Sequence, residues 1–230
     1  MKMNPLELIT TTSEQITPTL LNYEIGSDIE SVLYHLIKKL KGEYEEFVII
    51  SFQDAYVSIS KYLDSIYKDT SEVFKDSYLI SINPFLEERL NPDFVTKTKD
   101  AEIIVGRISR NLGIKSNTLF LVLGLDLYGV KYPDELITII PAIVRVLSTG
   151  KNNNILFMFN VKIFSDNIVE VMNSFALNVF KFGIEVKGNE IKRKLTVIRS
   201  PLVEYNLRSW YYTIAPSKII FSSISGDLGL

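Results

Sequence analysis

Two nearly continuous apolar runs constrain the fold of this chain more than any other feature. They lie at residues 47–52 and 119–125, and neither alternates between apolar and polar residues. A strand with one solvent-exposed face shows such alternation, so a continuous run predicts a strand that is covered on both faces. Strands of this kind are typical of parallel sheets that lie between two layers of helices.

Amphipathic helical segments separate the predicted strands. The first begins at Ser27 and stops at Gly42, and Ser27 and Glu30 have the spacing of a capping box. We predict strands at 19–25, 47–52, 78–82, 119–125 and 155–161, and helices at 27–41, 55–67, 99–113, 134–148 and 165–174, with 85–98 irregular. This alternation predicts an α/β fold with a mainly parallel sheet and right-handed crossovers.

The pattern changes in the last quarter of the chain. Four strands without intervening helices are predicted at 179–187, 192–200, 210–214 and 218–222, with turns at 187–190 and 215–217. They form an antiparallel meander that extends one edge of the sheet. No repeat or long linker divides the chain, so we expect one domain over 19–230 after an N-terminal arm at 1–18. The arm either pairs subunits or packs within its own subunit.

Composition excludes several kinds of chemistry. Among 230 residues there is no cysteine and one histidine, so the chain has no disulfide, no thiolate nucleophile and no multi-histidine metal site. A formal net charge of -2 argues against coating of DNA by bulk electrostatics. No targeting or membrane-spanning segment is visible, and we expect a soluble cytoplasmic protein. Frequent isoleucine and rare glutamine favour a thermophile, whereas the many asparagines favour the opposite.

Three polar residues follow predicted strands at the edge where open α/β sheets usually bind ligands. They are Asp54, Asp126 and Asn160. One interpretation is a ligand or metal pocket, and the other is that they form turns and cap helices. His35 lies off the apolar stripe of its helix, which predicts a partly exposed side chain without function.

Basic and aromatic residues mix in the predicted meander. Lys192, Arg193, Lys194 and Arg199 lie near a Trp-Tyr-Tyr run at 210–212. One interpretation is contact with nucleic acid through phosphates and stacked bases. The other is a solvated edge hairpin, since lysines on edge strands suppress aggregation.

The order of these elements resembles the RecA fold, most closely its KaiC- and RadA-like branch in archaea. In that branch the second strand ends in two acidic residues before a helix, and residues 49–54 here read Ile-Ile-Ser-Phe-Gln-Asp. A later buried strand holds the Walker B aspartate, and residues 120–125 match it. The resemblance covers 19–222 and implies a three-layer sandwich, with a mainly parallel central sheet flanked by helices and a C-terminal antiparallel β-meander.

The catalytic parts that the resemblance implies are missing from this sequence. A phosphate loop needs several glycines and a lysine, whereas the first strand–helix connection offers only Gly26 and Ser27. The general-base glutamate of the branch aligns with Gln53, and its Walker B aspartate aligns with Gly124. An amide cannot accept a proton from an attacking water at neutral pH.

Acidic residues also surround the predicted start of the first helix. Glu24, Asp28 and Glu30 suit a helix dipole but would repel a triphosphate. We therefore expect a degenerate P-loop NTPase fold, similar to a Walker-less KaiC-like group, that serves as a binding, regulatory or assembly module. No hydrolysis, cofactor or metal is implied, and the expected partner is a second copy or a related RecA-fold protein.

Two alternatives stay open. One is an atypical NTPase or ATP-binding protein, and the other is an accessory nucleic-acid-binding recombinase paralogue. The candidate ligand-binding residues are Gly26, Ser27, Gln53, Asp54, Asp126 and Asn160, and the candidate nucleic-acid contacts are Lys192, Arg193, Lys194 and Arg199.

Overall fold

One sheet of ten strands forms the centre of the molecule. The computed structural model describes residues 3–85, 91–215 and 217–224. The strands are β1 Thr19–Tyr23, β2 Glu46–Phe52, β3 Tyr78–Ile82, β4 Phe94–Thr96, β5 Thr118–Leu123, β6 Asn154–Asn160, β7 Asn178–Lys187, β8 Glu190–Arg199, β9 Ser209–Ala215 and β10 Lys218–Ser223. The helices are α1 Pro5–Gln15, α2 Ile29–Leu40, α3 Ala55–Ile66, α4 Thr70–Phe74, α5 Ala101–Leu112, α6 Leu125–Lys131, α7 Pro133–Leu147 and α8 Asp166–Phe175.

The strand order is β10-β9-β8-β7-β1-β6-β5-β2-β3-β4. Every pair from β7 through β1 to β4 is parallel, and the pairs from β7 to β10 are antiparallel. This confirms the predicted α/β class and the antiparallel meander at one edge. The described residues leave out Pro216 of the predicted turn and 86–90 of the segment predicted to be irregular. They also leave out 1–2 of the predicted arm and 225–230 of the predicted domain.

Alternate residues of the central strands point into two separate cores. In β5, Leu119, Leu121 and Leu123 pack with α1–α4 and the meander, whereas Phe120 and Val122 pack with α5–α8. Every one of these five side chains is at most 1% exposed. Helices therefore cover both faces of the sheet, as the continuous apolar run at 119–125 predicts.

The structure differs from the sequence prediction at short elements. The segment expected to be irregular contains the three-residue strand β4, and α4 and α6 were not predicted. Strand β5 ends at Leu123 because Gly124 takes a left-handed backbone conformation, and α6 starts directly after it. Strand β1 likewise ends at Tyr23 because a turn begins at Glu24. No helix among the described residues has the length and hydrophobicity needed to cross a bilayer.

The capping box predicted at Ser27 is wrong. The N-cap of α2 is Asp28, which has a left-handed backbone and makes no side-chain capping bond, and Ser27 Oγ has no partner among the described residues. The structure instead contains a capping box at Asn4 and Glu7, at the start of α1. The Ser27 hydroxyl cannot cap α2 because the left-handed residue lies between it and the first helical turn.

Helix α1 packs onto its own subunit. Leu8 and Ile9 are fully buried in the core, and the Asn178 side-chain amide in β7 donates to the carbonyls of Thr12 and Ile16 at 3.1 and 2.6 Å. These contacts fasten the N-terminal segment across the amino end of the sheet. The division into an arm at 1–18 and a domain over 19–230 stays a prediction.

The prediction that His35 is partly exposed is wrong. Its ring lies 5.1 Å from the Tyr34 ring and 5.6 Å from the Tyr67 ring, edge-on to both, and the residue is 8% exposed. Tyr67 follows α3 and covers this side of α2, which the stripe of α2 alone does not reveal. Burial lowers the pKa of His35, and the nearby Lys38 ammonium lowers it further.

We predict that His35 makes the protein less stable in mild acid. The unfolded chain has a histidine pKa near 6.5, so below about that pH it binds more protons than the folded chain, and the free energy of unfolding falls. Urea denaturation of the wild type and His35→Gln at pH 7.5 and pH 5.5 measures this effect. The wild type is expected to lose more stability than the variant, and equal losses would contradict the prediction.

Candidate functional site

A closed turn connects β1 to α2 at the carboxyl edge of the sheet. It spans residues 24–28, which is shorter than the eight-residue phosphate-loop motif. Glu24 N–H donates to the Phe182 carbonyl at 2.9 Å, and Ser27 N–H donates back to the Glu24 carbonyl at 3.0 Å. Gly26 has a φ of +92°. Two backbone donors of the turn are therefore engaged within the protein and do not converge on an external anion.

The carboxylates around this turn are paired with cations. Glu24 lies 3.3 Å from the Lys181 ammonium and 3.6 Å from the Lys162 ammonium. Asp28 accepts a hydrogen bond from the Tyr62 hydroxyl at 2.9 Å and lies 3.7 Å from the Arg193 guanidinium. The acidic entrance of α2 is thus part of a network that holds the turn to α3 and the meander.

The turn is also fixed by its carbonyl groups. The Gly26 carbonyl accepts from Arg193 Nε at 3.2 Å, and the Ser27 carbonyl accepts from the buried Tyr212 hydroxyl. Burial raises the pKa of Tyr212 well above its ordinary value, so this hydroxyl remains a proton donor at neutral pH. Burial likewise raises the pKa of the Glu30 carboxyl in the first turn of α2.

The Gln53–Asp54 pair lies in a tight bend between β2 and α3. Both residues have left-handed backbones, with φ of +48° and +60°. Gln53 N–H donates to the Ile82 carbonyl at 2.8 Å, and Asp54 Oδ2 accepts from Phe85 N–H at 2.6 Å. Asp54 therefore joins the bend to the segment after β3.

The position aligned with the Walker B aspartate has no room for a side chain. A Cβ atom on Gly124 would lie 2.4 Å from the Phe52 carbonyl oxygen and 2.6 Å from Ala55 Cβ. Real Cβ atoms essentially never approach that closely, and the φ of +75° at Gly124 also disfavours any residue with a Cβ. The backbone of β2 thus closes over the place where a catalytic carboxylate would begin.

Asp126 and Asn160 come together at the edge, as the sequence suggested. Asp126 Oδ2 accepts from the Tyr23 hydroxyl at 2.8 Å and from Asn160 N–H at 3.3 Å, and its Oδ1 accepts from its neighbour Leu127 N–H at 2.9 Å. Burial, with the Asp126 charge second, raises the pKa of Tyr23 well above its usual range. This buried carboxylate ties the ends of β1 and β6 to the start of α6.

The hydrogen bond from Phe85 N–H to Asp54 lies at a different part of the edge from the contacts of Asp126 with Tyr23 and Asn160. Asp126 and Asn160 meet through backbone and hydroxyl donors, and Asn160 Oδ1 accepts from Lys162 N–H at 3.0 Å. Within the described residues, no three carboxylate or imidazole groups are placed to hold a metal ion. The sequence analysis did not predict a role for Tyr23, whose hydroxyl donates to Asp126. Its one sequence signal is its position as the last residue of β1, at the carboxyl edge of the sheet.

The basic residues of the meander separate into two places. Lys192 and Arg193 line a cavity of about 540 Å³ beside Gly26. Arg199 instead donates to the Asn173 and Ala176 carbonyls at 3.3 and 3.1 Å, at the end of α8. The full lining consists of Gly26, Ile191, Lys192, Arg193, Tyr211, Tyr212, Thr213 and Ser222.

Two lysines of the meander have carboxylate neighbours. Lys192 lies 2.9 Å from Glu190, and Lys194 lies 3.7 Å from Glu185. The interpretation as an edge hairpin stays a prediction: β8 lies between β7 and β9, but the described register of β8 with β9 ends at Arg193, before Lys192. The nucleic-acid interpretation stays a prediction.

Comparison with known proteins identifies the fold. No protein-family model and no curated protein sequence matches the chain. A KaiC-like protein from the hyperthermophilic archaeon Pyrococcus horikoshii superimposes with a TM-score of 0.63 and 13% identity, over 89% of this chain and 88% of that one. A second P. horikoshii protein gives a TM-score of 0.61 and 13% identity, over 82% of this chain and 89% of that one.

A third P. horikoshii structure is an uncharacterised protein in complex with an unknown peptide. It gives a TM-score of 0.58 and 13% identity, over 90% of this chain and 92% of that one. With these neighbours and its sheet order, the chain has a RecA/KaiC-like fold, as the resemblance implied.

We predict that Gly124→Ala lowers the free energy of unfolding by at least about 2 kcal/mol, because the methyl group meets backbone and the backbone is left-handed. Gly188→Ala is a matched control, since it has a φ of +59° but open space, and it should cost only about 1 kcal/mol. Gly106→Ala lies in α5 with open space and should stabilise by roughly 0.5–1 kcal/mol. Urea denaturation measures all three, and equal costs at Gly124 and Gly188 would refute the steric argument.

Proposed function

We propose that this protein is a non-catalytic binding module with a RecA/KaiC-like fold, one that does not hydrolyse ATP. The observation that carries the proposal is the closed turn at residues 24–28. A phosphate loop works by aiming several backbone N–H groups at one anion. Here the N–H groups of Glu24 and Ser27 bond to carbonyls of the protein itself, and the nearby Lys181 and Arg193 are paired with Glu24 and Asp28.

The two other chemical positions support the same proposal. Gln53 offers an amide where the family branch has a general base, and an amide does not take a proton from water at neutral pH. The Gly124 site leaves no space for a metal-binding carboxylate. Asp126 is two residues further along and is buried in bonds to Tyr23 and Asn160.

A partner that is itself a polypeptide suits this module best. The cavity beside Gly26 lies between two hairpins of the meander, next to the closed turn. One protein with the same fold was solved with an unknown peptide, which supports polypeptide binding as a use of this architecture. A second copy of the chain or a related RecA-fold protein would supply such a polypeptide.

The proposal predicts that ATP is neither bound tightly nor hydrolysed. Titration calorimetry with Mg-ATP should show no micromolar binding, and a phosphate-release assay should give the rate of buffer alone. Each is measured on protein whose folding has been checked by circular dichroism.

Micromolar binding with turnover would overturn the proposal and favour an atypical NTPase. In that case Asp54→Ala and Asp126→Asn should abolish phosphate release, whereas the exposed control Asp64→Ala in α3 should not. Turnover that survives both site variants would show that these carboxylates are not its catalytic groups.

A further inference from the structure

Two hairpins of the meander separate from each other beside Gly26. Strands β8 and β9 pair from Thr196↔Ser209 to Arg193↔Tyr212, and their register ends there. Beyond that rung β8 continues with its partner β7, and β9 continues with its partner β10. The cavity of about 540 Å³ lies at this point of separation. Its size is within the range of typical ligand pockets.

The two strand edges that face the gap have backbone groups to offer. The two-residue turn at 188–189 makes Lys187↔Glu190 a hydrogen-bonded rung, so Val186↔Ile191 is a non-bonded one. The N–H and C=O of Ile191 therefore point away from β7, towards β9. After Arg193↔Tyr212 the next bonded rung would join Ile191 to Ile214, and the described register does not include it.

The two faces of the gap differ in chemistry. Residues that pair across strands share a face, so Lys192, Lys194 and Tyr211 lie on one face of the sheet. Ile191 lies on the other face with Arg193, on the side of the sheet where Arg193 reaches Gly26. Ile191 is 70% exposed, and its cross-strand neighbour Val186 is 66% exposed. One face of the gap thus carries Lys192 and Lys194 with their carboxylate neighbours, and the other carries the exposed Ile191 beside Arg193.

We propose that the gap between β8 and β9 binds an extended peptide that alternates acidic and β-branched apolar residues, by adding a strand beside Ile191. This inference rests on the proposed function, because it names the partner of the binding module. The peptide backbone would pair with Ile191 and Ile214, its acidic side chains would face Lys192, and its apolar side chains would face Ile191.

The charges favour a peptide over a nucleic acid. Glu190 lies 2.9 Å from Lys192, and Glu185 accepts a hydrogen bond from the Tyr211 hydroxyl at 2.8 Å. A nucleic acid would bring phosphates to these carboxylates and no apolar side chains to Ile191. An alternating peptide instead brings β-branched side chains to Ile191 and backbone N–H and C=O groups to the strand edge. Unpaired strand edges also match an amide backbone and have no counterpart in nucleic acid.

The test measures fluorescence anisotropy of a labelled decapeptide of alternating Glu and Val. Ile191→Pro removes an N–H that faces the gap and should weaken binding about tenfold or more, while the β7–β8 rungs keep their bonds. Val186→Pro is the matched control on the same rung, since its N–H faces away from β8, and it should change affinity less than about twofold. Lys192→Glu should weaken binding and reduce its salt dependence, whereas Lys218→Glu on β10 should not.

Amide hydrogen exchange gives a second readout. Binding should slow exchange at Ile191 and Ile214, because both amides become hydrogen-bonded in the added strand.

The proposal is overturned if the Glu-Val peptide does not bind at 1 mM, or if Val186→Pro weakens peptide binding as much as Ile191→Pro does. It is also overturned if a Lys-Val decapeptide or a ten-nucleotide oligothymidine binds as tightly as the Glu-Val peptide. Phosphate release from ATP is assayed on the same samples. If neither peptide binding nor ATP hydrolysis is detected, only the peptide site is refuted. If ATP is hydrolysed, only the non-catalytic proposal is refuted.

Discussion

Burial of the central strands on both faces is the constraint on which the rest of this structure depends. Leu121 and Val122 are neighbours in β5, yet they belong to different cores, and both are fully buried. A sheet that is covered in this way offers no face to a ligand. Binding must therefore use the ends of the strands or the part of the sheet that extends beyond the helices.

The carboxyl ends of the strands are closed by the protein's own groups. Tyr23 and Asp126 bond to each other, Glu24 is held by two lysines, and the backbone at Phe52 fills the space beside Gly124. These contacts lie at the carboxyl edge, where open α/β sheets usually bind ligands. The hydrogen bond between Tyr23 and Asp126 also satisfies buried polar groups that would otherwise destabilise the fold by about 1–3 kcal/mol.

The sequence predicts those parts of the fold that depend on local pattern. The period of apolar residues locates strands β1, β2, β3, β5 and β6 and the change to a meander at β7. Burial on one or two faces leaves a direct trace in the residue order. Contacts between distant segments leave no such trace. His35 is buried by Tyr67 from another helix, Ser27 is displaced from its cap by the left-handed Asp28, and Arg193 meets the Gly26 carbonyl across 167 positions of chain.

The meander is the part of the sheet that these constraints leave open to a partner. Tyr212 and Arg193 fasten its inner rungs to the closed turn, so the β9–β10 hairpin follows α2 while the tip of the β7–β8 hairpin stays with its own partner strand. The last rung between β8 and β9, Arg193↔Tyr212, is thus the one that is fastened to the turn at Gly26. The closed turn and the unpaired edges of β8 and β9 therefore meet at one place, where the meander docks onto the β1–α2 connection.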